Sequence, residues 1–304
     1  MILRRNEAHV QHLLAIFIQP AALTCSPIPH YKMASPSNET TINAYFKLPH
    51  LELNPTATQT ILLIHGACGT GSSWDLVTPH LPNYHILAPD LPGHGIAKHH
   101  HFSIREAADA LHALILNRAH EDKAYVVGFS LGAHVAMHLV SHYPQIATCV
   151  LVSGFQVLGT TAFSAYLPYA IWLEQRLENS IPRPWIRWAM DGVDLPRTDL
   201  RMCTVEYNRQ VFAIADDVEK WPKPWPARTL VIAAGKGGLI PSNDRPQDAM
   251  RLAAIGREAN TATRAVTHPD MRHPWIWQDP KLFAETTKLW FEQETVPAGF
   301  VPLE

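Results

Sequence analysis

A serine stands between two glycines where an apolar run meets a helical pattern. The segment Gly128–Gly132 reads GFSLG; it follows the apolar run Ala124–Val127 and leads into Leu131–Val140, whose early turns carry small residues. Glycine is needed on both sides because a Cβ in so tight a turn would clash with the neighbouring strand or helix. The hydroxyl of Ser130 would then project at the carboxyl edge of a sheet, where the N-terminus of the following helix stabilises negative charge. This context predicts that Ser130 is a nucleophile.

Two histidines near the C-terminus could take the proton of such a serine. His273 comes shortly before Asp279 and Pro280, a pair typical of a helix start, whereas His268 ends the run Arg264–Thr267. A serine hydroxyl is a weak nucleophile until a base within hydrogen-bond reach removes its proton. We favour His273 as that base and keep His268 as the alternative.

Three more segments carry a family resemblance. His65–Gly69 reads HGACG after one apolar run, Ala88–Gly95 reads APDLPGHG at the end of another, and His273–Pro280 reads HPWIWQDP. Together with the GFSLG turn, they resemble the H-G-x-x-G, D-x-x-G-H-G and H-x-x-x-x-E-D-P stretches of lipase/esterase-like α/β-hydrolases. The resemblance spans residues 60–152 and extends to the C-terminus, where Gln278 replaces the usual glutamate without changing the interpretation.

The resemblance implies an α/β-hydrolase fold, with a mostly parallel, doubly wound sheet and an inserted helical cap. The sequence itself favours a parallel sheet covered on both faces, because nearly continuous apolar strands alternate with helical patterns. Residues 44–154 and 226–304 are expected to form the core and residues 155–225 the cap, while residues 1–43 are predicted to be a disordered tail or a presequence. The predicted strands are 60–64, 85–88, 124–127, 148–152 and 230–234, and the predicted helices are 104–116, 131–140 and 282–291.

Aromatic residues are concentrated in the predicted cap. They could line an apolar substrate pocket, or they could pack the cap against the sheet. They are Tyr166, Tyr169, Trp172, Trp185, Trp188, Trp221 and Trp225.

The acid that would orient His273 is absent from its usual places. Relatives carry it in a G-x-x-D-x-x-x-P turn after the penultimate strand, or at the end of the strand that follows the nucleophile helix. Here Gly235–Pro241 has glycine at the aspartate position, and Ser153–Gln156 has no carboxylate. Asp244, just beyond that turn, is our candidate if the turn is shifted, although Ser242–Asp244 also reads as a helix N-cap cluster. The other candidates are Asp270, Asp248, Asp216 and Asp217.

The resemblance also implies an oxyanion hole made of two backbone N–H groups. One belongs to Leu131, which follows the nucleophile, and the other to Ala67, which follows the His-Gly pair. Each such donor lowers a reaction barrier by about 2.7–4 kcal/mol. Cys68, beside Ala67, is interpreted as a pocket wall and not as a catalytic thiol, because Ser130 already occupies the turn.

Composition argues against several other functions. The chain has 304 residues, is 47% hydrophobic and has a formal net charge of -2. It contains no cluster of Lys and Arg that could neutralise a run of phosphates, so nucleic-acid binding is not expected. The 4 cysteines include no C-x-x-C pair, and we expect neither a metal nor an organic cofactor. The run His99–His101 could bind a metal, but neighbouring Gly95 and Lys98 favour a solvated loop.

The N-terminus leaves the location of the protein open to two interpretations. No apolar stretch is long enough to span a bilayer, so we expect a cytoplasmic protein. A presequence is the alternative, because Arg4 and Arg5 precede the apolar stretch Leu13–Ile18, and Met33 offers a second start. The sequence does not indicate an oligomeric state.

Three functions follow from these residues. The leading hypothesis is a serine hydrolase that cleaves a small apolar ester, lactone or thioester through an acyl-enzyme on Ser130. The missing acid favours an alternative, a non-hydrolytic enzyme on the same fold such as a lyase, decarboxylase or cyclase, since fold does not fix reaction. A hydrolase-like ligand-binding protein is the third hypothesis, and retention of both Ser130 and His273 counts against it.

Overall fold

The computed structural model describes residues 47–157, 164–212, 220–237 and 243–304. The predicted N-terminal tail, residues 1–43, lies outside them. Within the described residues, eight strands form one sheet in the order β1-β3-β2-β4-β5-β6-β7-β8. The strands are β1 His50–Leu53, β2 Thr60–Ile64, β3 His85–Pro89, β4 Ala124–Phe129, β5 Ala147–Ser153, β6 Thr229–Ala234, β7 Arg264–His268 and β8 Val301–Pro302.

The sheet is parallel except at its two edges. Strands β2 to β7 pair in parallel, whereas β1 and β8 pair antiparallel with β3 and β7. The expectation of a mostly parallel sheet is therefore confirmed. The parallel strands have their carboxyl ends at one edge, where the turns after them can meet.

Helices cover both faces of the sheet. Side chains from alternate positions of the strands enter two separate apolar clusters, one shared with α1, α2 and α6, the other with α7 and α8. This two-sided burial explains why the strands read as continuous apolar runs, and it confirms the doubly wound arrangement. The α-helices are α1 Ile104–Arg118, α2 Leu131–His142, α3 Leu167–Ser180, α4 Arg183–Ala189, α5 Val205–Phe212, α6 Pro246–Arg257, α7 Trp275–Gln278 and α8 Pro280–Gln293.

Between β5 and β6 the described residues form the helices α3, α4 and α5, which we call the inserted helices. Helix α3 packs against α5, and Asn208 of α5 donates its Nδ2–H to Gln175 Oε1 of α3 at 3.2 Å. Asn208 is fully buried, so this bond holds the two helices together inside the insertion. Among the described residues, no helix combines the length and the apolar character that crossing a membrane requires.

Candidate active site

The turn that carries Ser130 connects β4 to α2. Ser130 has φ 54° and ψ -116°, a conformation that L-residues rarely adopt, and its N–H donates to the Ser153 carbonyl of β5 at 2.8 Å. A Cβ on Gly132 would lie 2.2 Å from the Ile64 carbonyl oxygen, and one on Gly128 would lie 2.5 Å from the Gly132 carbonyl oxygen. Both glycines are therefore needed for the turn to approach β2 and α2 this closely.

The side chains of Ser130, His273 and Asp244 form a hydrogen-bonded series. His273 Nε2 lies 3.0 Å from Ser130 Oγ, and His273 Nδ1 lies 2.6 Å from Asp244 Oδ1. An ionised carboxylate only accepts, so Nδ1 carries the proton and Nε2 is left to accept from the serine hydroxyl. The side chain of His273 is 27% exposed and that of Asp244 1%, so the imidazole faces the pocket while the carboxylate is shielded from water.

Asp244 reaches His273 because the chain leaves β6 and then returns to lie beside Ala234, the last residue of that strand. The Asp244 N–H donates to the Ala234 carbonyl at 2.8 Å, and the Ala234 N–H donates to Asp244 Oδ2 at 2.8 Å. Gln156 Nε2 donates to Asp244 Oδ1 at 3.1 Å, a contact that nothing in the sequence pattern indicates. Residues 238–242, within the turn where relatives carry the acid, lie outside the described residues.

The alternative base His268 and the alternative acid Asp248 make hydrogen bonds to other parts of the chain. His268 is buried at 8% exposure, and its Nδ1 accepts from the Asp270 N–H at 3.3 Å. Asp248 Oδ2 accepts a backbone N–H from the loop after β5 at 3.0 Å, so Asp248 holds that loop. Asp216 and Asp217 lie outside the described residues.

Gly154 packs against the ring of His273, and Gln278 holds the backbone just before it. Gly154 has φ +75°, and a Cβ there would lie 2.5 Å from His273 Cε1, so only glycine lets the ring pack against this turn. Gln278 Oε1 accepts from the Arg272 N–H at 2.8 Å, and Gln278 Nε2 donates to the Asp270 carbonyl at 2.8 Å. An ionised glutamate could accept but not donate, so glutamine suits this site.

A cavity of about 230 Å³ opens in front of Ser130. Ala67 and Leu131, the two residues predicted to form the oxyanion hole, line this cavity together with His273. Leu131 is the first residue of α2, and the first N–H groups of a helix have no acceptor within it. The apolar side chains that line the cavity are those of Ala67, Leu131, Val157, Val211 and Phe212.

None of the seven tyrosine and tryptophan residues that the sequence offered as pocket walls lines this cavity. Trp185 and Trp188 are 69% and 74% exposed, and Trp225 is buried in the core. Trp221 lines a neighbouring groove of about 620 Å³. Cys68, interpreted as a wall of the pocket, is not among the residues that line this cavity, and its Sγ accepts from Gln175 Nε2 at 3.4 Å.

His65 holds the loop that carries Ala67. Its Nδ1–H donates to the Gly66 carbonyl at 2.7 Å, and its Nε2 accepts from the Leu91 N–H at 3.1 Å. Burial, followed by the neighbouring His94, lowers the pKa of His65 to about 3, so the ring is neutral near pH 7. The Gly66 carbonyl and the Ala67 N–H share one planar peptide group. The bond from His65 Nδ1–H to that carbonyl therefore also orients the Ala67 N–H.

His134 lies one helical turn after Ser130 and lines the same cavity. Its Nε2–H donates to the Gln156 carbonyl at 3.1 Å. Burial lowers the pKa of His134 to about 4, so it adds no positive charge to the cavity near pH 7. The spacing of four residues from Ser130 on a helix is the signal in the sequence that could have indicated it.

A salt-bridge cluster joins the segment after α4 to the loop that carries His273. Asp191 Oδ2 accepts from Arg272 Nε at 2.7 Å and from Lys236 Nζ at 2.8 Å. Arg272 is buried, and its Nη1 donates to the Gly237 carbonyl at 3.1 Å. The hydrogen bond from Arg272, followed by that from Lys236, lowers the pKa of Asp191 to about 2.

This lowered pKa predicts a pH-dependent contribution of Asp191 to stability. A carboxyl whose pKa falls on folding stabilises the protein above its unfolded pKa, here 3.8, and the contribution is lost as the pH falls towards 2. We expect wild type to melt at a higher temperature than Asp191→Asn at pH 7, and the difference to shrink as the pH falls from 3.8 towards 2. Asparagine tolerates the left-handed backbone of this residue, φ 57°. Thermal unfolding at several pH values measures the difference; a gap that persists unchanged at pH 2 contradicts the assignment.

The chain matches the model of the alpha/beta hydrolase family over residues 61–286. It is 34% identical over 245 residues to an AB hydrolase superfamily protein of Gibberella zeae, covering 80% of this chain and 83% of that protein. Over 100 residues it is 39% identical to the lipase LipV of Mycobacterium tuberculosis, covering 32% of this chain and 38% of the lipase. A solved thermophilic esterase from Thermogutta terrifontis has a similar fold, with a TM-score of 0.62 at 17% identity, covering 81% of this chain and 93% of that chain. The chain belongs to the alpha/beta hydrolase family.

Proposed function

We propose that the protein is a serine hydrolase that cleaves a small apolar ester, lactone or thioester through an acyl-enzyme on Ser130. The observation that carries this proposal is the hydrogen-bonded series from Asp244 through His273 to Ser130, with distances of 2.6 and 3.0 Å. Nucleophile, base and orienting acid in this order are the arrangement that serine hydrolases need. The lipase and esterase names among similar proteins agree with this chemistry.

The reaction begins with proton transfer from the Ser130 hydroxyl to His273 Nε2. Ser130 Oγ attacks the carbonyl carbon, and the carbonyl oxygen becomes an oxyanion that the N–H groups of Ala67 and Leu131 stabilise. His273 then gives its proton to the departing alcohol or thiol, which leaves an acyl-serine. Water enters, His273 takes a proton from it, and attack on the acyl group releases the acid and restores Ser130.

Asp244 acts on the protonated form of His273. The imidazole becomes positively charged in each transition state, and a carboxylate 2.6 Å from Nδ1 stabilises that charge and holds the ring in the productive tautomer. The other carboxylate oxygen accepts from the Ala234 N–H, so Asp244 cannot turn away without breaking a backbone contact.

The shape of the cavity supports a small apolar group next to the reacting carbonyl. Its volume of about 230 Å³ lies below the usual range of ligand pockets, about 300–1,000 Å³. Val211 and Phe212 of α5 and Val157 from the loop after β5 provide apolar walls. We therefore propose that the inserted helices act as a cap over the core, as the division at residues 155–225 predicts.

The position of Asp244 also weakens the main argument for a non-hydrolytic enzyme. That alternative depended on the absence of an acid, whereas a carboxylate lies within hydrogen-bond distance of His273. The presence of all three side chains in a connected series likewise favours turnover over ligand binding alone.

We expect the Ser130→Ala variant to lose both labelling and turnover. A fluorophosphonate probe should label wild type and not Ser130→Ala, because the probe needs an activated serine oxygen. Ser141→Ala, at the other end of α2, is the matched control and should label as wild type does. Mass spectrometry of products formed in ¹⁸O-water should show one labelled oxygen in the acid. Equal labelling of Ser130→Ala, or product without ¹⁸O, argues against a serine hydrolase.

We expect the Asp244→Asn variant to fold and to lose about 10⁴-fold in kcat, because asparagine no longer favours the productive tautomer or the charged imidazole. Steady-state hydrolysis of a p-nitrophenyl ester measures the change. Asp270→Asn is the control, since this exposed residue is also close to His273 in sequence, and its kcat should stay within about twofold of wild type. Similar losses in the two variants would rule out a specific role for Asp244.

A further inference from the structure

The hydroxyl of Tyr207 lies between an inserted helix and the loop that carries Ala67. Tyr207 belongs to α5 and is 6% exposed. The Cys68 N–H donates to Tyr207 Oη at 2.6 Å, and Tyr207 Oη lies 2.7 Å from His94 Nε2. Residues from α5, from the loop after β2 and from the loop after β3 therefore meet at one hydroxyl.

The direction of each bond in this network is fixed. His94 Nδ1 lies 2.9 Å from the Pro92 carbonyl, and because a carbonyl only accepts, Nδ1 carries the ring proton. Nε2 is then an acceptor, so Tyr207 donates to His94 and accepts from Cys68. Burial lowers the pKa of His94 to about 4, which keeps the ring neutral and this arrangement intact near pH 7.

The network acts on the backbone next to the predicted oxyanion hole. Ala67 and Cys68 are the central residues of a turn closed by the Gly69 N–H, which donates to the Gly66 carbonyl at 3.1 Å. Cys68 has φ 57°, an unfavourable conformation for a residue with a side chain. The bond to Tyr207 fixes the peptide group between Ala67 and Cys68. The bonds that the Gly66 carbonyl accepts from His65 and Gly69 fix the preceding peptide group, which carries the Ala67 N–H.

We propose that Tyr207 is a positioning residue that makes the orientation of the Ala67 N–H depend on the docking of α5. The inference rests on the proposed function, because it assigns Ala67 to the oxyanion hole. Val211, one helical turn after Tyr207, and Phe212 line the substrate cavity. A single helix thus provides a wall for the substrate and a contact to the hole, so α5 must be docked for both parts of the site to be complete.

The Tyr207→Phe variant tests this proposal. Removal of the hydroxyl should lower kcat about 10- to 100-fold, while KM stays within about twofold of the wild-type value. This loss is smaller than the 10²- to 10³-fold expected when an N–H donor of an oxyanion hole is removed altogether. The inhibition constant of a trifluoromethyl ketone, which forms a tetrahedral oxyanion on Ser130, should rise by the same factor as kcat falls. Hydrogen exchange in the peptide 65–72 should become faster, because the Cys68 N–H loses its acceptor.

Tyr143→Phe is the matched control. Tyr143 donates its hydroxyl to Asp109 Oδ1 at 2.7 Å near the far end of α2, so this variant also loses one tyrosine hydrogen bond. Its kcat, inhibition constant and exchange in the peptide 65–72 should equal those of wild type. The proposal is overturned if Tyr207→Phe leaves the exchange unchanged, or if its kcat falls without a matching rise in the inhibition constant. An inactive wild type would contradict the proposed function instead, and the exchange measurement would still test whether Tyr207 positions the loop.

Discussion

The two oxygens of the Asp244 carboxylate accept hydrogen bonds from different parts of the chain, and the arrangement of the site depends on these bonds. One oxygen accepts from the backbone N–H of Ala234 and the other from His273 and Gln156. A buried carboxylate is costly unless such partners replace water, and the side chain of Asp244 is only 1% exposed. The bonds that offset this cost also place His273 against Ser130. Burial of Asp244, the proposed acid, and alignment of His273, the proposed base, therefore depend on the same hydrogen bonds.

Contacts within the described residues join the site to the inserted segment. Asp191, just after α4, binds Arg272 beside His273, and Tyr207 of α5 binds the loop that carries Ala67. Ser130 itself is held by the core, through the close approach of its turn to β2 and β5. The proposed nucleophile is thus held by the sheet, while the groups around it also contact the insertion.

Sequence patterns predicted the parts of the fold that depend on local structure. Buried parallel strands such as β2 and β4 read as apolar runs, and the glycines beside Ser130 identify its turn. The edge strands β1 and β8 and the strand β7 carry weaker patterns and were not predicted. Asp244 could only be a candidate, because its approach to Ala234 is a contact between distant parts of the chain. Gln156, Gly154 and Tyr207 act through such contacts too, which no spacing rule indicates.

The most direct test of this account is proton NMR of the hydrogen that His273 Nδ1 donates. A short bond to a buried carboxylate moves such a proton strongly downfield, and ¹⁵N labelling of histidine assigns it to Nδ1. We expect a downfield resonance in wild type and in Asp270→Asn, and its upfield shift or loss in Asp244→Asn. A resonance that remains unchanged in Asp244→Asn would show that another group, and not Asp244, orients His273.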